Sequence, residues 1–188
     1  MRHPKRKYFL MLLVAGLATG ALVPKPLPAP LDLEEYLEAD DWFQAGLAMN
    51  SEGRFREAAE AFSKSISIEP DNALAWLNLG TALALLGEYP QAIDKLRNSV
   101  RINPKLALGY ANLAEICFRE QRFHEAIEAY TALLTLWPDN ANAMYKRGLA
   151  YFSLNEVGKS QAEYLSLKMV DPELADKLLQ VIRRGAIR

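Results

Sequence analysis

The chain has 188 residues, 51% of them hydrophobic, so it is long enough to bury a core and lacks the polar bias of a disordered protein. Its formal net charge of −1 hides an uneven distribution, because residues 1–30 carry only basic side chains and the remainder holds 17 basic and 23 acidic residues. A net-acidic remainder without a basic stripe argues against a nucleic-acid-binding protein.

The first 23 residues contain a basic head followed by an apolar stretch from Tyr8 to Val23. This stretch is longer than a typical signal-peptide core and shorter than the about 20 residues of a spanning helix. Small residues at 18–20 would suit a signal peptidase. We therefore expect residues 1–23 to be a cleaved signal peptide or a retained membrane anchor, with a buried helix as the third alternative. The first two export the rest of the chain to the cell envelope, as a periplasmic, secreted or membrane-anchored protein.

Residues 24–32 are predicted to be a proline-rich linker, with Pro24, Pro26, Pro28 and Pro30 at alternate positions. Such a segment is an extended and stiff spacer. No cysteine lies near the end of the apolar stretch, which excludes a bacterial lipoprotein anchor.

A repeat of 34 residues follows, marked by Pro70, Pro104, Pro138 and Pro172. We predict a helical domain over residues 33–174, led by a helix from Leu33 that merges with the first repeat. Four repeats are predicted, with these boundaries: 39–72, 73–106, 107–140 and 141–174.

Each repeat has the pattern of two antiparallel helices joined by a short turn. A bulky residue (Trp76 in the second repeat) is followed four positions later by a small one (Gly80) and then by an apolar one (Leu83), which indicates a helical face with a notch. Gly87 lies in a turn column that ends this helix, and a second apolar face precedes the proline. The small column is Gly46, Gly80, Ala114 and Gly148.

The segment at 171–185 lacks this notch. We predict that it forms a C-terminal capping helix whose charged residues cover the last repeat. Beyond the repeats, residues 175–188 comprise the end of this helix and the tail.

The recurring columns resemble the tetratricopeptide repeat, best in 73–106, where Trp76, Leu79, Gly80, Ala92 and Pro104 match its signature. The resemblance implies an all-α fold, a right-handed α-α superhelix of stacked antiparallel helix pairs. Three residues of the fourth repeat depart from the signature: Met144, Arg147 and Ser160.

Residues that could carry chemistry are few. Cys117 is the single cysteine and lies in an apolar column, so we expect its thiol to be buried in the core. We expect His124 to be a surface residue. Adjacent carboxylates such as Asp40 and Asp41 point to different sides of a helix and suit its amino end. No phosphate-binding loop or catalytic motif is present. We therefore expect no enzymatic activity, no metal and no cofactor.

In the family that the chain resembles, the first helices of the repeats line a concave groove that holds an extended peptide. The resemblance implies that the following residues of this chain line the groove: Phe43, Gln44, Leu47, Leu77, Asn78, Thr81, Asn112, Glu115, Tyr145 and Lys146. Side-chain amides in this groove could bind a peptide backbone. Alternatively, Asn78 and Asn112 only match the residue that the family commonly has there.

Family members that bind acidic chaperone tails use a cluster of Lys, Asn and Arg, of which Asn78 alone has a counterpart here. The groove is instead expected to take a hydrophobic or aromatic-bearing segment of a partner protein. The predicted function is a non-catalytic scaffold or assembly factor of the cell envelope. The alternative is a structural subunit that self-associates through its unequally charged ends, since residues 31–72 hold 11 acids and 3 bases and residues 141–188 hold 5 acids and 8 bases.

Overall fold

The computed structural model describes residues 38–185, and within them it contains helices and turns but no strand. The predicted signal or anchor segment (1–23), the linker (24–32) and the start of the leading helix at Leu33 lie outside the described residues. Among the described residues, no helix is long and apolar enough to cross a membrane.

The described part of the chain forms nine α-helices. They are α1 (Ala39–Ser51), α2 (Phe55–Ile68), α3 (Ala73–Leu85), α4 (Tyr89–Ile102), α5 (Ala107–Arg119), α6 (Phe123–Leu136), α7 (Ala141–Ser153), α8 (Val157–Val170) and α9 (Pro172–Gly185).

The helices form a single stacked array that curves in one direction. The first eight helices form four pairs, α1 with α2, α3 with α4, α5 with α6 and α7 with α8. Every helix contacts the next one along the chain, both within a pair and between pairs. The first helices of successive pairs, α1, α3, α5 and α7, also contact one another, whereas the second helices of the described pairs do not. Because the first helices lie closer together, they form the inner side of the array. The predicted all-α superhelix of helix pairs is confirmed.

Helix boundaries recur with the sequence period because the same local signals recur. In the second repeat the Asn72 side chain accepts hydrogen bonds from the backbone N–H groups of Leu74 and Ala75, and in the fourth the Asn140 side chain accepts one from the Ala143 N–H. Within each pair, the turn contains one residue with positive φ. These are Gly53 (φ 78°), Gly87 (φ 81°), Gln121 (φ 57°) and Asn155 (φ 60°). The predicted turn column is therefore confirmed.

The notch at the glycine column admits a side chain from the second helix. A Cβ atom at Gly80 would lie 2.7 Å from Leu96 Cγ and 3.2 Å from the Ala92 carbonyl oxygen, so no larger residue fits without movement. Phe62 fills the notch at Gly46 in the first pair. The close approach predicted at this column is confirmed for these two repeats.

In the fourth pair a different element fills the notch. A Cβ atom at Gly148 would lie 2.6 Å from Leu178 Cδ2 of α9, whereas the nearest side-chain atom of α8, Glu163 Cγ, would be 3.3 Å away. Helix α9 begins after a single connecting residue, Asp171, and contacts both α7 and α8. Its apolar residues Ala175, Leu178 and Ile182 are buried. The capping helix thus covers the last repeat with an apolar face, whereas we expected its charged residues to do so.

Cys117 lies in the core, as the sequence predicted, with no exposed surface. Burial is the main reason that the pKa of its thiol rises to about 11, so the thiolate is scarce at neutral pH. This cysteine is a packing residue.

Candidate peptide-binding groove

The inner face of α3 carries a stripe of side chains at helical spacing: Leu74, Asn78, Thr81 and Leu85. The intervals of four, three and four residues bring these side chains onto one side of the helix. The same positions in the other first helices define three more stripes. They hold Asp40, Gln44, Leu47 and Ser51 in α1; Leu108, Asn112, Glu115 and Arg119 in α5; and Asn142, Lys146, Leu149 and Ser153 in α7. We call these four rows the inner stripes.

Hydrogen bonds between neighbouring helices join the inner stripes in the middle of the groove. Asn112 Nδ2 of α5 donates to Thr81 Oγ1 of α3 over 3.0 Å, and that hydroxyl donates to the Leu77 carbonyl oxygen over 2.9 Å. Asn78 Nδ2 donates to the Leu74 carbonyl oxygen at 2.8 Å. Each amide thus has one N–H engaged within the protein, and its second N–H and its carbonyl oxygen remain for a ligand.

The α5 and α7 stripes meet through a charged cluster. Lys146 Nζ lies 3.1 Å from Glu115 Oε1, and the Tyr130 hydroxyl donates to Glu115 Oε2 at 3.2 Å. The Lys146 ammonium also lies 5.2 Å from the centre of the Phe118 ring. Burial, followed by the Glu115 charge, raises the pKa of Tyr130, so its hydroxyl remains a donor at neutral pH. Glu115 thus neutralises Lys146 in this part of the groove, and Arg119 of the α5 stripe adds one further positive charge.

The α1 end of the groove is partly apolar. Leu47 is 36% exposed, while Phe43 is half-buried and packs against Phe62 with ring centres 5.8 Å apart. Gln44 Nε2 donates to Asp40 Oδ1 within the same stripe at 3.3 Å. This end offers a ligand both an apolar side chain and an acidic one.

One of the predicted groove residues belongs elsewhere. Leu77 is only 4% exposed and lies in the main core cluster, so we assign it to packing and correct that prediction. Tyr145 is half-buried and packs against the cluster around Leu178. The remaining eight predicted residues lie on the inner stripes or beside them.

Three exposed leucines of the inner stripes are not among the predicted groove residues. Leu74 is 49% exposed, Leu108 is 58% exposed and Leu85 is 54% exposed. A signal was available, since Leu74 and Leu108 precede Asn78 and Asn112 by four residues, or about one helical turn. The groove therefore has more accessible apolar surface than the predicted residues suggested.

A buried ion pair lies behind the groove, between α7 and α8. Arg147 Nε donates to Glu163 Oε2 at 3.0 Å and Nη2 donates to Oε1 at 3.1 Å, while Nη1 donates to Thr131 Oγ1 at 3.0 Å. The Glu163 side chain is 6% exposed, and this burial raises the pKa of its carboxyl although Arg147 opposes the shift. The pair replaces the leucine contact of the second repeat.

A shallow cavity of about 220 Å³ opens between α4, α5 and α6, with Arg97 and Cys117 among its lining residues. It is smaller than typical small-molecule sites, and Arg97 is already paired with Glu125. In the described residues, no group of three or more His, Cys, Asp or Glu side chains could hold a metal ion. The groove is thus the strongest candidate site.

A curved array of helix pairs with amides and leucines along its inner helices defines a helical-repeat protein with a binding groove. The tetratricopeptide repeat model matches residues 36–107 and the TPR repeat model matches residues 114–155, together more than half of the chain. The chain belongs to the tetratricopeptide repeat family. Among curated protein sequences, none is significantly similar to it.

Several solved structures share the fold. A crystal structure of MamA is 25% identical, with a TM-score of 0.72 over 79% of this chain and 82% of that one. YrrB, described as a TPR protein with an unusual peptide-binding site, is 22% identical, with a TM-score of 0.68 over 80% of this chain and 77% of that one. The first TPR of Spaghetti, bound to an HSP90 peptide, is 22% identical, with a TM-score of 0.59 over 63% of this chain and 94% of that one.

Proposed function

We propose that this protein is a non-catalytic scaffold that binds an extended segment of a partner protein along its inner stripes. The observation that carries the proposal is the accessible row of amides and leucines on adjacent first helices. The peptide-binding descriptions of YrrB and of the Spaghetti repeat support it by fold analogy.

The chemistry of the groove favours an apolar segment over an acidic tail. Lys146 is engaged by Glu115, and the positive charge of Arg119 at this end is offset by Asp40 at the other end. The inner stripes therefore carry no net charge that would attract an acidic ligand. Leu47, Leu74 and Leu108 offer apolar surface instead, and the amides of Asn78 and Asn112 suit a peptide backbone of any sequence.

The groove is tested by the double substitution Asn78→Ala with Asn112→Ala. Each lost hydrogen bond to a ligand should cost about 0.5–1.5 kcal/mol, so partner affinity should fall roughly tenfold or more. The measurement is a crosslinked pull-down from membranes, followed by titration of the captured partner. Asn98→Ala on α4 is the matched control, because it removes an amide from a second helix. Equal binding by the double variant and the wild type would remove the groove from consideration.

We also propose that residues 1–23 direct the protein to the cell envelope, as a cleaved signal or as an anchor, and that it acts there as an assembly factor. The basic head and apolar stretch of this segment support the proposal. Deleting residues 1–23 should retain the protein in the cytoplasm. Recovery of the truncated protein in the envelope fraction would disprove the targeting role of residues 1–23.

A second candidate function is self-association through charged ends. The exposed face of α9 carries Arg183 and Arg184, whereas α1 begins with Asp40 and Asp41. Association of this kind should weaken as salt rises from 50 to 500 mM, because exposed charges are screened. Sedimentation at the two salt concentrations tests it, and a salt-independent result would reject it.

A further inference from the structure

The solvent-facing side of α8 is uncharged. It carries Gly158, Ala162, Leu165 and Met169, whose intervals of four, three and four residues bring them onto one side of the helix. All four are exposed, and Met169, at 87%, is the most exposed large apolar residue in the described part of the chain. The buried Leu167 lies on the opposite side of the helix, toward α9. We call the four exposed residues the outer stripe of α8.

An apolar outer stripe is specific to the last pair. The counterparts of its residues in α2, α4 and α6 are also exposed, but most of them are polar or charged. The counterparts of Leu165 and Met169 are Ser63 and Ser67, Arg97 and Arg101, and Thr131 and Thr135. A helix pair of this kind therefore folds without an apolar outer face, and an exposed apolar face with polar surroundings is typical of an interaction surface.

The outer stripe is complementary to itself. Its small residues lie in the first half of α8 and its large residues in the second half. The pairs 158–169 and 162–165 share one midpoint, between residues 163 and 164. When two copies of α8 pack antiparallel about a twofold axis at that midpoint, Met169 lies opposite Gly158 of the second copy, and Leu165 lies opposite Ala162 in the same way.

The space that this packing needs is present at Gly158. A Cβ atom there would meet no atom within 4 Å apart from its chain neighbours and the backbone of its own helix, so the position can receive a methionine from outside. A reciprocal fit of one surface to itself is the requirement of a twofold interface between identical chains. An unrelated partner imposes no such symmetry, so the pattern favours a second copy as the occupant.

The charges of α9 fit the same arrangement. Its first turn contains Glu173, and its last turn contains Arg183 and Arg184. Because α9 packs against α8 as far as Val157, the first residue of that helix, it runs back along α8. Antiparallel packing of two α8 helices therefore brings the basic end of each α9 to the level of the acidic start of the other. Parallel packing would place like charges at the same level.

We propose that this protein forms a dimer in which α8 packs antiparallel against α8 of a second copy, with Leu165 and Met169 as the central contacts. The contact is isologous, so it closes at two copies, unlike association through the charged ends of α1 and α9. It leaves the groove open, because the inner stripes lie on the first helices and α8 is a second helix. A helix face of 14 residues is about 21 Å long, so the interface belongs to the small class, and we expect a micromolar dissociation constant.

The first experiment measures sedimentation of the full-length chain from about 2 to 200 µM in about 500 mM salt, where association through exposed charges is screened. The wild type should change from monomer to dimer over this range. Leu165→Glu with Met169→Glu should raise the dissociation constant at least tenfold, because it places unpaired charges in the contact. Ser63→Glu with Ser67→Glu is the matched control, since it adds the same charges at the corresponding exposed positions of α2 and should dimerise like the wild type. Melting temperatures of the dilute proteins should match.

The second experiment tests the antiparallel register by disulfide formation. Gly158→Cys and Met169→Cys chains should form a disulfide-linked dimer when they are mixed under mild oxidation. Neither should do so alone, because position 158 in the two copies would be about 16 Å apart along the helix axis, beyond the reach of a disulfide. The native Cys117 is fully buried and does not compete.

Three results would overturn the proposal: a wild type that stays monomeric over the whole range, a Leu165 and Met169 variant that dimerises as well as the wild type, or single cysteine variants that crosslink as efficiently as their mixture. The dimer and the groove are tested separately. Asn78→Ala with Asn112→Ala leaves α8 unchanged, so this double variant should dimerise like the wild type whatever its effect on partner binding.

Discussion

The second and fourth repeats have the same frame but different interiors. Both consist of a helix of 13 residues and a helix of 14 residues. In the second repeat, Leu96 of its own second helix fills the notch at Gly80, and Leu79 is buried. In the fourth, the notch at Gly148 is filled from α9, and Arg147 replaces the leucine.

This difference shows which repeat needs a helix from outside the four repeats to complete its core. Tyr164, which corresponds to Leu96, is only half-buried, whereas Leu178 is fully buried. The second repeat therefore completes its own interior, and the fourth requires α9. In a linear array, where stability is a sum of local terms, such dependence should make the carboxyl-terminal end respond separately to mutation.

The largest effect is expected from Arg147→Leu, which restores the residue type of the second repeat. The substitution leaves the Glu163 carboxylate buried without its partner, which costs about 4 kcal/mol of unfolding free energy. Urea denaturation measures this change in the free energy of unfolding. Replacing both residues, Arg147→Leu with Glu163→Leu, is the control and should be neutral or stabilising, since no buried charge remains. A single variant as stable as the wild type would show that the ion pair is dispensable.

A slightly smaller effect is expected from Leu178→Ala. Removing this fully buried side chain empties the notch at Gly148 and should cost about 3 kcal/mol. Hydrogen exchange should show lost protection in α7, α8 and α9 while α1–α4 remain protected. Leu96→Ala is the matched variant in the second repeat and should loosen the middle of the array instead. The same exchange pattern in both variants would contradict the separation of the two regions.

Gly80→Leu should destabilise the second repeat by about 2 kcal/mol, because even a Cβ atom there is too close to Leu96 and to the Ala92 carbonyl. Gly158→Leu is a suitable control, since a Cβ atom at that helical position would meet no atom within 4 Å apart from its chain neighbours and the backbone of its own helix. Thermal unfolding compares the two. A Gly80→Leu protein that melts with the wild type would mean that the notch can widen freely.

The smallest effect concerns pH in the fourth repeat. Burial raises the pKa of Glu163 above its ordinary value of 4.5, so the folded state holds this proton more tightly than the unfolded state. The stability from this group is complete below pH 4.5 and is lost as pH rises through the folded pKa. The melting-temperature advantage of wild type over Glu163→Gln should therefore grow between pH 7 and pH 5. A shrinking advantage would show that Arg147 outweighs burial.

The repeat frame could be predicted from the sequence because its determinants are local. A small residue beside a bulky one and a turn residue that accepts positive φ each act within a few positions. Their recurrence every 34 residues is therefore visible in one chain. The boundaries of α1, α3, α5 and α7 coincide with the starts of the predicted repeats at 39, 73, 107 and 141.

The groove was less predictable because it depends on contacts between repeats. Leu77 shares a column with Phe43 and Tyr145, and only the packing of α3 in the array shows that it is buried. The bond from Asn112 to Thr81 joins residues 31 positions apart, so the sequence could not show that one amide hydrogen was already engaged. The filling of the Gly148 notch by Leu178 likewise needs the position of α9.

The single-residue connection at Asp171 limits how such an array could grow during evolution. The other connections between pairs span four residues, as at 69–72, and leave room for the next module in the same frame. A tandem duplication inserted after Val170 would separate Leu178 from Gly148 and expose an unfilled notch. Duplications between the first three pairs keep every junction intact. Modules would therefore be gained internally, and the terminal cap would be inherited unchanged.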